Sequence, residues 1–189
     1  MGTGWLIQPD LLVTAGHNVY SWSKDGSNDK PKGEQKPRGR AVDIKCYIGY
    51  CGRDSVGKDG VQERQAKKVL TTAEWLASSR NSPWDVAFIQ VGKPFTGELN
   101  LFSYLSTPER NRTTIGVVGY PGDKFDAHGE YGAVMWEQFA EVDYDIKHPQ
   151  NKQTMLEYTI STWGGKTLFP FEALFPKTLP PPSPYNQHI

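Results

Sequence analysis

Apolar and polar positions along this chain fall into short blocks separated by turn residues, the rhythm of a β protein rather than a helical one. Trp5-Leu6-Ile7 and Leu11-Leu12-Val13-Thr14 flank Gln8-Pro9-Asp10, which predicts a hairpin closed by a proline-containing turn. From Ser21 to Arg40 the chain is polar and reads as a solvated surface loop. Its basic part, Lys30 to Arg40, could alternatively serve as an anion-binding arm, but acidic residues interleave with the basic ones. Partial alternation predicts a strand over Ala41–Tyr50 and a more exposed one over Gln62–Leu70. Trp84–Val91 contains the continuous apolar run Val86-Ala87-Phe88-Ile89 and reads as the buried strand. Gly92–Arg112 reads as a linker. Thr114–Val118 is a further strand running into Gly119-Tyr120-Pro121-Gly122-Asp123, where Pro before Gly predicts a type II turn with a positive φ at Gly122. Strands over Gly129–Val142 and Met155–Ile160 follow. Beyond Gly165 come Pro170, Pro176, Pro180-Pro181-Pro182 and Pro184, which forbid a central strand and break helices. This tail reads as disordered, with a polyproline ligand as the alternative.

Composition supports an all-β reading. The chain has 189 residues, with 6 Trp, 9 Tyr, 8 Phe, 19 Gly and 14 Pro, the mixture of short strands and many turns. That length suits one domain, or two small barrels sharing a core. Acidic and basic residues balance at 21 each, so no net charge steers the chain toward nucleic acid or an anionic membrane. No run of eighteen apolar residues offers a transmembrane helix. The start, Met1-Gly2-Thr3-Gly4-Trp5, lacks the charged lead of a signal peptide, and the redox compartment stays open. Cys46 and Cys51 lie on a stretch that reads as strand, where five extended residues span roughly 16 Å, beyond disulfide reach. They are expected as free thiols unless Gly49 makes a tight bend. His128 and His148 lie without metal-ligand spacing, so neither a metal nor a cofactor is expected. Asn111-Arg112-Thr113 fits an N-glycosylation triplet, which matters only in a secreted chain.

Candidate chemistry begins at Thr14-Ala15-Gly16-His17. Histidine is the natural general base near neutrality, and here it follows an apolar strand and two small residues, at a strand end where it can face a cleft. Asp85 opens Asp85-Val86-Ala87-Phe88-Ile89. Taken singly, each is most simply structural.

Together, at a spacing of 68 positions, the two segments resemble the chymotrypsin-fold serine proteases, and among them the bacterial and fungal glutamyl-endopeptidase-like branch. Gly2-Thr3-Gly4-Trp5-Leu6-Ile7, Val118-Gly119-Tyr120-Pro121-Gly122-Asp123 and Tyr158-Thr159-Ile160-Ser161-Thr162-Trp163-Gly164-Gly165 extend the resemblance over residues 2–165. It implies two antiparallel β-barrels with a cleft between them. The first, residues 1–95, carries His17 as base and Asp85 as its orienting carboxylate. The second, residues 113–165, is partial, and 166–189 is the proline-rich tail. It also implies a peptide or protein substrate and a family that is usually secreted.

The resemblance breaks where the nucleophile belongs. The family carries Gly-x-Ser-Gly-x-Pro after the double glycine. Aligned without gaps, Gly165 and Pro170 match, with Gly165 at the oxyanion turn, but Thr167 falls on the serine and Leu168-Phe169 replace small residues. Threonine keeps a hydroxyl, yet its β-methyl restricts χ1, and leucine does not readily take backbone angles reserved for glycine. Thr162 lies where glutamate-specific relatives have a threonine that helps hold the acidic side chain. Two origins remain open for the shortened second barrel: a chain clipped at both ends, or a divergent member that has abandoned catalysis. Three functions stay open with them: a serine-type endopeptidase that is inactive or incomplete as written, a non-catalytic peptide- or protein-binding module on a protease scaffold, and a chain that does not fold alone.

Overall fold

The computed structural model describes residues 1–23, 36–103, 110–147 and 155–156. The Pro9-Asp10 turn joins β1 (Gly4–Gln8) to β2 (Leu11–Thr14) in the expected hairpin, with Trp5 opposite Val13, Leu6 opposite Leu12 and a bulge before Gln8. Next come β3 (Tyr20–Ser23) and β4 (Lys36–Arg40), which pair with each other as a two-stranded ribbon. The stretch expected as a surface loop therefore has paired ends. Backbone groups make a ladder whatever the polarity of the side chains, which is why polarity alone pointed to a loop.

The main sheet adds β5 (Lys45–Ile48), β6 (Gln62–Thr71) and β7 (Ala87–Val91) to the hairpin, in the order β1-β2-β7-β6-β5, all antiparallel. Its apolar face carries the core: Leu6, Leu12, Cys46, Ala87, Ile89 and Val91 are buried against one another and against Val19 and Phe95. The continuous apolar run of β7 is not buried on both sides. Ala87, Ile89 and Val91 point inward, while Phe88 is 39% exposed. An antiparallel sheet with one solvated face divides such a run by its twofold alternation. Between β6 and β7 lies a five-residue helix, α1 (Ala73–Ala77), that the pattern of apolar positions does not announce.

The second sheet is built on a long ribbon of β8 (Arg110–Gly119) and β9 (Trp136–Lys147), with β10 (Met155–Leu156) on the far edge of β9. Gly116 faces Phe139, whose ring occupies the place a Cβ would need. The glycosylation triplet lies within β8, where the Arg112 guanidinium meets Glu141 at 3.1 Å. The turn after β8 starts at Pro121, whose carbonyl accepts from Lys124 N–H. Gly122 is not among the residues with positive φ, so the expected type II geometry is corrected: Gly122 stands one place earlier in the turn than such geometry requires.

Hydrogen bonds between segments flanking the strands link the first half of the chain to the turn region between β8 and β9. Glu130 accepts from the Tyr50 hydroxyl at 2.7 Å and from Arg53 N–H at 2.8 Å. The Tyr120 hydroxyl donates to the Tyr50 carbonyl at 3.0 Å, and Tyr120 N–H donates to Thr3 Oγ1 at 3.1 Å. Burial, with Glu130 second, pushes the Tyr50 phenol up to about 12. Cys46 and Cys51 are free, the first buried and the second exposed, and burial pushes the Cys46 thiol up to about 11.

Gly49, between β5 and Tyr50, has φ of 75° and stands so close to the Gly60 carbonyl oxygen that a Cβ would collide with it. Gly57 has φ of 84° with open space around it. Gly49→Ala should therefore cost more in urea denaturation than Gly57→Ala, which faces only the backbone penalty of about 1–3 kcal/mol. Equal losses would refute the steric part.

Candidate active site

Where β2 ends, Ala15 is still extended, and Gly16–Asn18 form a single 3-10 turn. Two hydrogen bonds at Thr14 fix the end of β2, one to the chain before β1 and one to the turn. Thr14 Oγ1 donates to the Thr3 carbonyl at 2.7 Å, and Asn18 Nδ2 donates to Thr14 Oγ1 at 2.8 Å. The partner strand is β7, with Thr14 opposite Ala87. Two residues before Ala87 stands Asp85, so the register brings the segment that carries the carboxylate beside the turn that holds His17.

The contact is two-pronged. His17 Nδ1–H donates to Asp85 Oδ2 at 2.7 Å, and the His17 backbone N–H donates to Asp85 Oδ1 at 2.7 Å. A carboxylate oxygen only accepts, so Nδ1 carries the proton and the neutral ring keeps its lone pair on Nε2. The His17 side chain is 57% exposed and that of Asp85 22%, so a reactant can reach the imidazole while the carboxylate sits deeper. The hydrogen bond to Asp85 raises the His17 pKa above its ordinary value. Partial burial opposes this, and the carboxylate charge adds to it.

Gly16 has no room for a side chain. A Cβ there would lie 2.8 Å from Trp75 Cδ1, 3.0 Å from Asp85 Oδ1 and 3.1 Å from Thr71 Oγ1. Trp75 is buried in α1, and its indole N–H donates to the Tyr20 carbonyl at 3.0 Å. Sequence reasoning missed Trp75, Thr71 and Thr72. The available signal was Thr72 itself, an N-cap residue before the helix-forming Ala-Glu-Trp-Leu-Ala.

A cavity of about 540 Å³ lies over the apolar face of the main sheet, lined among others by Gly4, Leu12, Ile44, Tyr47, Ile89 and Tyr120. Its lining includes Thr14 and Asn18, on either side of His17, but neither His17 nor Asp85. Thr162, Gly165 and Thr167 lie outside the described residues, as do His148 and the tail. Among the described residues no three His, Cys, Asp or Glu side chains gather as metal ligands, and no helix is long and apolar enough to cross a membrane.

The chain is mostly strand, and a histidine just past the end of β2 is gripped by an aspartate two residues before β7, an arrangement consistent with the trypsin-like class. Residues 2–167 match the trypsin-like peptidase domain, and the chain belongs to that family. A glutamyl endopeptidase of Bacillus licheniformis is 25% identical over 171 residues, covering 87% of this chain and 43% of the relative. The chain thus spans less than half the length of the curated relative it matches. The resemblance is of the glutamyl-endopeptidase kind.

Two outcomes follow from the pair. Because Asp85 raises the His17 pKa in the folded chain, the pair stabilises the fold fully below the ordinary histidine value of 6.5. It loses that contribution as pH rises through the folded-state value. The difference in urea stability between wild type and Asp85→Asn should be larger at about pH 5.5 than at about pH 8.5; equal differences would count against the ion pair. Gly16→Ala should lower the melting temperature and bring the His17 titration, followed by NMR, back toward 6.5, because Trp75 or Asp85 must give way.

Proposed function

We propose that this chain is a serine-endopeptidase-type scaffold for peptide or protein substrates. In this reading His17 is the general base and Asp85 the group that orients it, and catalysis is lost at the nucleophile. The observation that carries the reading is the double hydrogen bond between His17 and Asp85, both arms 2.7 Å. One arm holds the His17 backbone and the other holds the ring at Nδ1, which leaves Nε2 to take a proton from a hydroxyl attacking a carbonyl. The imidazolium formed would stay beside the carboxylate, which lowers its cost.

The nucleophile position is where the reading departs from a working enzyme. Thr167 occupies it, with Gly165 at the expected oxyanion turn and Thr162 at the expected substrate contact. Leu168 stands where a glycine would free the backbone to aim two N–H groups at an oxyanion. Loss of one triad member costs several orders of magnitude in rate. The same substitutions favour a second reading, a module that binds an extended peptide without cutting it.

A serine-directed fluorophosphonate tests this. Wild type should remain unlabelled, and labelling at Thr167 would overturn the proposed loss of catalysis. Thr167→Ser should gain labelling that His17→Ala abolishes; labelling that survives His17→Ala would remove His17 from the base role. If Thr167→Ser stays unlabelled, the oxyanion turn is lost with the serine, and the binding module becomes the better reading.

A further inference from the structure

Asp85 is not itself in a ladder. The pairing of β7 with both its neighbours begins at Ala87. What shapes the chain at Asp85 is a three-residue turn, in which Val86 N–H donates back to the Trp84 carbonyl at 2.8 Å with Asp85 at the centre. Such a turn is closed by one short hydrogen bond and is soft unless something else restrains it.

Two consecutive hydroxyls supply that restraint. Thr72 Oγ1 donates to the Trp84 carbonyl at 2.7 Å, and Thr71 Oγ1 donates to the Val86 carbonyl at 2.8 Å. The carbonyls on either side of Asp85 are thus held by neighbouring side chains at the end of β6. Thr72 also accepts from Trp75 N–H at 3.1 Å, so the same hydroxyl caps α1. The Trp75 ring then closes the space beside Gly16, into which Asp85 Oδ1 and Thr71 Oγ1 also project. We propose that Thr71 and Thr72 are positioning residues for the His17–Asp85 pair. They clamp the turn that carries Asp85, so that its two carboxylate oxygens meet the Nδ1–H and the backbone N–H of His17 together.

A purely structural role is the competing account: Thr71 ends a strand and Thr72 caps a helix. Thr71 separates the two, because it is not the cap and its pairing with Ala87 runs through the backbone, which a side-chain substitution leaves in place. The catalytic consequence rests on His17 acting as a base, but the clamp is read without activity. In the full chain, NMR would follow the His17 titration and the low-field Nδ1–H resonance of an imidazole bonded to a carboxylate. Thr71→Val should bring the titration down toward 6.5 and weaken that resonance while unfolding stays cooperative, and Thr71→Ser should restore both. Thr71→Ala gives the same reading should valine disturb the fold. If folded Thr71→Val and Thr71→Ala both keep the wild-type titration and resonance, the clamp is overturned. A wild-type His17 that titrates at its ordinary value would overturn the pair and the clamp together. Absent fluorophosphonate labelling bears only on the nucleophile.

Discussion

Thr14 faces Ala87 across the antiparallel pairing of β2 and β7, and this register governs both the core and the site. On one side of it Leu12 and Ile89 stand opposite each other in the buried cluster. At its end the chain turns sharply through Gly16, and the residue two places before Ala87 meets that turn. Side chains alternate with a period of two, so a slip by one residue would turn the core face outward and carry Asp85 away from His17. A contact between residues 68 apart in sequence is thus brought within reach by ordinary sheet pairing, and hydrogen bonds around Asp85 complete it.

The environment of the pair balances two physical effects. The carboxylate favours protonated His17 through a short hydrogen bond and its charge, and partial burial resists. Because the imidazole is more than half exposed, it stays accessible to a reactant. Around it the packing is close, as at Gly16, where the floor is an indole anchored to β3 and a carboxylate held from two sides. Farther away, Glu130, Tyr50, Arg53 and Tyr120 tie the segment after β5 to the connection between β8 and β9.

Much of the main sheet was legible in the order of residues. The β1–β2 hairpin is announced by two apolar runs around Pro9-Asp10, and β6 and the strand half of Trp84–Val91 fall where expected. His17 and Asp85 were legible as a pair because family-like segments surround both. The β3–β4 ribbon was hidden, since its polar residues pair through backbone groups that no side-chain pattern reports. Strand β9 begins seven residues later than the apolar pattern suggests, because residues 129–135 include a Gly129 and a Gly132 with positive φ. Thr71 and Thr72 were invisible as site residues: a threonine ending a strand looks the same whether its hydroxyl meets water or a carbonyl.

By itself the sequence determined the all-β class, the family and the two residues, His17 and Asp85, that meet in the fold. These are matters of residue identity and local pattern, written in the chain. Only the tertiary structure decided that His17 and Asp85 touch, that both carboxylate oxygens are used, and that consecutive threonines hold the turn beneath them. Those facts depend on register and on distances of a few tenths of an ångström, and both arise from how the whole sheet packs rather than from any segment alone.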